Sequence, residues 1–326
     1  MVRRFVSIAL FALLTSCVTA APPAAKIAAS PARGTSPEFG NAFWKLWGDG
    51  RAEMAGYDFE TPRYGSVRKG VAVTIFVTES FSNTLRVKAD PGKHPKSDEY
   101  PVMKLNLVQD FATGVYDYNL MTSAFTAVTP VNGRPAGAPT KVSFSAQEWC
   151  GHAFSQLLFD ANAARFTAHS YFDGEADQSS TLPIPLEAVS EDALLVWARG
   201  LAYPVVKPGE SVSVPLVRSL RESRLLHKPQ AVAKANFARV LAPQSVTVPA
   251  GTFACAVSTV SVEGGRQWTF FTETAAPGRI VKWSCSDGEL AQLIGSDRLP
   301  YWKLNGPGGE AALAKLGLRP RGPRTP

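Results

Sequence analysis

GVAVTIFVTES, residues 70–80, sets Val71, Val73, Ile75 and Val77 against Ala72, Thr74, Phe76 and Thr78. A period of two places the two sets on opposite faces of a strand. MKLNLVQDF (103–111) and TKVSFSAQEW (140–149) repeat the pattern less cleanly. Further candidates are ARFTAHSYF (164–172), ESVSVPLV (210–217), AKANFARVL (233–241), FACAVSTVSV (253–262), RQWTFFTET (266–274) and RIVKWSC (279–285). Most are separated by short turn signals such as Gly-Gly, Pro-Gly and Asp-Gly. Strands this close in sequence cannot be joined by helical crossovers, so the pattern predicts a mainly β (α+β) chain with an antiparallel sheet.

Three short helices are expected on that sheet. In SPEFGNAFWKLWGDG (36–50), Ser36 is placed to cap and Pro37 to open a helix, with Phe39, Phe43, Leu46 and Trp47 on one face and Gly48 ending it. SEDALLVWARG (190–200) has Ser190 as cap, Glu191 and Asp192 in the first turn, and Arg199 and Gly200 at its end. GGEAALAKLGL (308–318) reads as the third. No internal repeat of solenoid or propeller length is present.

At the N-terminus, RRFVSIALFALLTSCVTA (3–20) joins two arginines to an apolar run from Phe5 to Leu14. That run is shorter than the ~20 residues a spanning helix needs and reads as a secretory signal. Leu14-Thr15-Ser16-Cys17 resembles the bacterial lipobox, which implies that residues 1–16 are removed and that Cys17 becomes an acylated N-terminus. Several acyl chains, at ~0.8 kcal/mol per buried methylene, make a durable anchor. Val18, Thr19, Ala20 and Ala21 leave plain secretion as the alternative. Valine after the cysteine, by resemblance to the sorting rule of enteric bacteria, implies the outer membrane, with the domain in the periplasm. Residues 17–35, rich in Ala, Pro, Ser and Thr, read as a tether that cannot bury enough surface to order itself. Residues 36–318 are expected to form a single domain, and 319–326 a disordered tail.

Removing Arg3 and Arg4 leaves 32 of the 34 basic residues against 27 acidic ones, a formal charge near +5. A nucleic-acid surface needs a denser basic cluster interleaved with aromatics, so no nucleic-acid partner is expected. The local excess at Arg218, Arg221, Arg224, His227 and Lys228 reads as a solvated face or a weak attraction to anionic headgroups.

Cys150, Cys255 and Cys285 remain. If Gly264-Gly265 is a hairpin turn, Cys255 lies opposite about Thr274, and a second turn at 275–278 puts Cys285 opposite about Trp268. The two would then stand two strands apart, beyond the ~7 Å Cα limit for a disulfide. The expectation is a pair involving Cys150, or three buried thiols.

QEWCGHAF (147–154) sets the thiol of Cys150 two residues from the imidazole of His152. On a strand both project from one face, where an imidazolium would stabilise a thiolate nucleophile. Val142, Phe144, Ala146 and Phe154 share that parity, so a buried thiol beside a hydrogen-bonded histidine is the alternative, unless Gly151 introduces a bulge. In FDGEADQ (172–178), Asp173, Glu175 and Asp177 alternate as in a Ca²⁺ loop, but Gln178 and Ile184 occupy the places an EF-hand reserves for glycine and glutamate. It reads as a solvated turn. With no H-E-x-x-H, C-x-x-C, G-x-S-x-G or glycine-rich phosphate loop, neither metal nor cofactor is expected.

VTVPAGTFACAVSTVSV (246–262) resembles bacterial envelope proteins in which V-P-A-G-T-F leads into a core strand. Pro249 and Gly251 shape a turn, and Phe253 starts an inward face continued by Cys255 and Val257. The resemblance is to LolA-like and LolB-like half-barrels, and it implies a curved antiparallel sheet or half-barrel with a few short helices packed on its concave side. FWKLWGDGRAEMAGYDFETPRYGSVRKGVAVTIFVTESF (43–81), VMKLNLVQDFATGVYDYNLMTS (102–123) and SAQEWCGHAF (145–154) are similar to a group of bacterial lipoproteins without assigned activity. Some of these carry the label septum formation inhibitor Maf. Maf pyrophosphatases act on nucleotides in the cytoplasm, whereas this chain is expected to be exported.

The first functional expectation is therefore a non-enzymatic outer-membrane lipoprotein whose curved sheet holds an apolar small molecule, a lipid or a partner's acyl chain against Phe43, Trp44, Trp47 and Trp268, with a packed core of those aromatics as the alternative. The second is a periplasmic thiol-dependent or hydrolytic enzyme using Cys150 and His152. The third is a structural envelope component that binds another envelope protein through an exposed apolar patch.

Overall fold

The computed structural model describes residues 34–320; Cys17, most of the tether and residues 321–326 lie outside them. One sheet of 16 strands runs through the described chain. Its first eight strands form a meander: β1 (Ala52–Arg63), β2 (Ser66–Ser82), β3 (Glu99–Thr113), β4 (Tyr116–Ala127), β5 (Pro139–Glu148), β6 (Gly151–Phe159), β7 (Ala163–Ser170) and β8 (Gln178–Pro183). On the other side of β1 the order continues with β16 (Leu290–Leu299), β15 (Ile280–Cys285), β14 (Gln267–Glu273) and β13 (Gly251–Val262). Beyond these come β11 (Val232–Arg239), β10 (Ser211–Val217) and the two-residue β9 (Val189–Ser190), while β12 (Gln244–Val248) pairs with β13 off the main path. Every pairing is antiparallel except β9 with β10. The sheet curls without closing.

Alternation decides which face is inside. In β2 the buried set is Ala72, Thr74 and Phe76, and the bulkier Val71, Val73 and Ile75 lie half-exposed on the outer face. The inner choice follows from the neighbour: Ala72 stands opposite Tyr57, whose large ring is fully buried and whose hydroxyl donates to the carbonyl of Ile280 at 3.0 Å. A small residue beside a large one lets the inner layer interdigitate.

The strongly curved sheet is filled from within. A 3₁₀ turn at Glu191–Ala193 leads into α2 (Leu194–Ala198), all five of whose residues are buried. This segment touches β3 and β4 on one side of the curl and β14 on the other. Trp197 packs edge-on to Phe237, with ring centroids 4.8 Å apart. The expected helix at 190–200 is thus a 3₁₀ turn and one helical turn, and Ser190 makes no capping hydrogen bond.

The first helix begins later than its sequence suggests. Gly40 caps α1 (Asn41–Trp47), while Thr35 bridges to Val205 and Pro37 lies against Gly137. The chain upstream of the helix is therefore held as an extended strap. The expected third helix is a 3₁₀ segment at Gly309–Leu316 that lies across β1 and β16. There Gly56 faces Gly295, and a Cβ on Gly56 would stand 2.3 Å from the Leu316 carbonyl oxygen. A third α-helix, α3 (Leu220–Leu226), is present where the sequence suggested only a basic surface. S-L-R-E at 219–222 is its capping signal: the Ser219 hydroxyl accepts from the Glu222 amide.

Candidate ligand-binding site

One end of the sheet folds back onto its other arm without hydrogen-bonding to it. β9 and the 3₁₀ turn after it come back against β5, and α3 packs on β5 as well. Strands β6, β7 and β8 extend past this seam, and α3 and the loop at 171–177 face the inner side of β6 and β7, while β8 stays exposed. A cavity of about 260 Å³ lies between them. Its apolar wall is Phe144, Ala153, Phe166, Ala168 and Leu220, and its polar side includes Arg224, His227, Lys228 and Glu175. Inward parity explains the wall: Phe144 pairs with Ser155, and Ser155 in turn with Ala168.

Arg224 dominates the polar side. Its side chain is 7% exposed and lies 3.5 Å from both Glu148 and Glu175. Its guanidinium stacks over Phe172, 3.7 Å from the ring centroid. Nε and Nη1 nevertheless have no hydrogen-bond partner. Glu175 also accepts from Ser170 at 3.2 Å and is hydrogen-bonded to His227 Nδ1. His227 sits in the left-handed conformation that ends α3, with φ 53°, so the helix terminus aims its ring back at the 171–177 loop. Glu175 is thus the clasp between loop and helix, not a residue of a freely solvated turn.

The basic excess at 218–228 is accordingly only in part a solvated face, with His227 and Lys228 exposed. Arg221 and Arg224 are both buried. Arg221 donates to Glu289 at 2.5 Å and to Thr61 at 2.9 Å. It belongs to a second polar cluster under the N-terminal end of α3, around a cavity of about 50 Å³. Here Arg266 Nε and Trp268 Nε1 both donate to Glu191 at 3.0 Å. Ser219 donates to Asp192 at 2.6 Å, and Asp192 also accepts from the Leu220 amide. Burial pushes the Asp192 carboxyl up to about 6. The Gln109 amide faces this cavity with neither its oxygen nor its nitrogen hydrogen-bonded. The cluster ties the 3₁₀ turn, α3 and the β15–β16 turn to the sheet.

The aromatic residues proposed from sequence are not gathered around one cavity. Phe43 and Trp47 are buried in the main core, and Trp44 is 39% exposed. The Trp47 ring is covered by the guanidinium groups of Arg199 and Arg298, each 5.0 Å from its centroid. Trp268 lies on β14, stacked on Phe270 and beneath Arg266.

Cys150 and His152 flank the β5–β6 turn, and both are exposed. TKVSFSAQEW and GHAF are two strands of one hairpin, so the inward parity of Val142, Phe144 and Ala146 does not carry through to 150–154. No hydrogen bond joins the thiol to the imidazole among the described contacts. Cys255 stands opposite Glu273 and Cys285 opposite Trp268, one residue from the expected register in the first case and on it in the second. All three described cysteines are free thiols. Two are buried and Cys150 is exposed, which corrects the expectation of a Cys150 pair or three buried thiols.

Phe166 and Ser155 escaped the sequence reading as site residues, and Arg224 stood out only within a basic run, because the three come from separate elements and share no local pattern. Among the described residues no group of His, Cys, Asp and Glu is arranged to hold a metal ion. No described helix is long and apolar enough to cross a membrane. Comparison of the chain with protein-family models, with curated proteins and with solved structures finds no match in any of the three.

Proposed function

We propose that this chain is an outer-membrane lipoprotein, anchored through an acylated Cys17, whose periplasmic domain binds an apolar ligand without chemically altering it. The signal-like N-terminus, the L-T-S-C stretch and the similarity to envelope lipoproteins support the address. The seam cavity supports the binding. It is a recess of about 260 Å³ with an apolar wall on one side and a buried guanidinium on the other. Ligand pockets combine these features, and its size, just under the ~300 Å³ at which drug-sized sites begin, suits one chain segment better than a whole lipid.

Mass spectrometry of small molecules copurifying with the untagged mature chain tests this reading. A defined apolar species is expected from the wild type and none from Ala168→Phe, which fills the cavity. Equal recovery from both would place binding elsewhere, and recovery of none from either would reject the reading.

A second reading, an envelope scaffold, is favoured by one specific observation. The β1–β2, β3–β4, β5–β6 and β7–β8 turns lie at the same end of the sheet and expose Tyr64, Val115, Trp149 and Tyr171. Such an apolar rim suits a protein partner.

A further inference from the structure

We infer that the ligand of the seam cavity carries an uncharged carbonyl at the head of its apolar chain, an acyl ester or amide, and that Arg224 donates to that oxygen. The inference rests on the binding role proposed above and adds the chemistry of the head group.

Arg224 is almost wholly buried, yet Nε only approaches Glu175 Oε2 at 3.5 Å without a formed hydrogen bond, and Nη1 has no acceptor. A buried charged donor left without an acceptor is strongly disfavoured, so the site is built to receive one. An acid would be the obvious choice for an arginine. The surrounding charges argue against it. Glu148 and Glu175 each stand 3.5 Å from the guanidinium, so its charge is already met by two carboxylates. His227 is engaged by Glu175, and the remaining lining cation is the exposed Lys228. A ligand carboxylate or phosphate entering here would gain attraction to Arg224 and Lys228. It would also meet repulsion from Glu175, which lines the cavity, and from Glu148 on the guanidinium, in a site of low dielectric. The charge terms would nearly cancel while the anion lost its hydration.

A carbonyl oxygen avoids that loss. It accepts a charge-assisted hydrogen bond from a donor that has none, and it brings no charge to oppose Glu148 or Glu175. The chain attached to it would lie along Phe144, Phe166, Ala168 and Leu220.

Four probes within one chain atom of each other in length separate the possibilities: methyl octanoate, N-methyloctanamide, octanoate and nonane. Each is titrated calorimetrically into the full chain carrying Cys17→Ser, so that no acyl group of its own enters. The ester or the amide is expected to bind about tenfold more tightly than octanoate and nonane, as one charge-assisted hydrogen bond provides. Preference for the ester points to a glycerolipid-like source, and preference for the amide to an N-acylated one. Carbonyl-¹³C methyl octanoate should shift downfield on binding the wild type. Arg224→Met should bind the ester no better than nonane, and Ala168→Phe should bind none of the four. Octanoate or nonane binding as tightly as the ester, or an unshifted carbonyl in the bound wild type, overturns the head-group inference while leaving the pocket intact. Failure of all four to bind overturns the pocket reading itself. Should Arg224→Met not fold, Arg224→Lys and the wild-type carbonyl shift carry the same decision.

Discussion

Arg221 Nη1 meets Glu289 Oε2 at 2.5 Å, 68 residues away in sequence, and so ties α3 to the turn between β15 and β16. Both side chains are buried, at 9% and 2% exposure. The other Glu289 oxygen accepts from Trp283 Nε1 at 2.8 Å, and Arg221 Nη2 reaches Thr61. Every strong donor and acceptor of the pair except Arg221 Nε is therefore used.

Removing one partner of such a pair strands the other charge. Arg221→Met is expected to lower stability by about 3–5 kcal/mol. The double variant Arg221→Met/Glu289→Leu should recover most of that, because two apolar side chains replace two desolvated charges. Urea denaturation of wild type, Arg221→Met, Glu289→Leu and the double variant gives the coupling directly. A double variant as unstable as the single one would show that the pair does more than neutralise itself.

The thiols should divide sharply by reactivity. Burial holds the Cys255 thiol up at about 11 and Cys285 up at about 12, so both stay protonated at neutral pH as well as covered. Cys150 is exposed on its turn. With Cys17 acylated or replaced, iodoacetamide should modify one thiol quickly in the native protein and three after unfolding. Rapid modification of Cys285 in native protein would mean that the β14–β15 region opens locally.

These contrasts show what the sequence discloses. The strands at 70–80, 103–111, 140–149 and 253–262 were legible because alternation is local. β1 escaped because Gly56 and Pro62 interrupt it, although Tyr57 and Phe59 alternate with Asp58 and Glu60; Gly56 is needed for close approach and Pro62 lies at the strand's end. α3 was hidden by its arginines, which look like solvent-facing residues until Glu289, Glu148 and Glu175 are brought to them. The turn signals carried enough information to place Cys285 opposite Trp268. Nothing local could announce the seam cavity, whose walls come from β5, β6, β7 and α3.

Asp192 should impose a pH dependence on stability opposite in sign to that of ordinary paired carboxylates. Its folded pKa, about 6, lies above the unfolded 3.8, chiefly because burial disfavours the charged form. The folded state thus binds more protons between these values, and this contribution, fully present below pH 3.8, is lost as pH rises through about 6. Two units correspond to about 3 kcal/mol at most. Asp192→Asn keeps an oxygen for the Leu220 amide and removes the titration. The stability of wild type minus that of the variant should therefore fall between pH 4 and 7, by up to about 3 kcal/mol. A difference that stays flat, or rises, would show that Asp192 is ionised without penalty.

The C-terminal 3₁₀ segment makes the closing test of how tightly the sheet's outer elements are docked. Gly56 and Gly295 stand opposite each other on β1 and β16, and a Cβ on either would come within 2.3 Å and 2.6 Å of the Leu316 backbone. Leu316 itself is 1% exposed, so the backbone over these glycines is held down by a buried side chain and cannot rise freely. Gly56→Ala should accordingly destabilise by about 1–3 kcal/mol through overpacking. Gly306 has nothing within 4 Å of where its Cβ would be, and Gly306→Ala should stay within about 0.5 kcal/mol of wild type. Urea midpoints distinguish the two outcomes. If Gly56→Ala unfolds at the wild-type midpoint, the segment at 309–316 is loosely apposed and can lift away. A lowered midpoint for Gly56→Ala alone means that the segment is an integral layer of the fold.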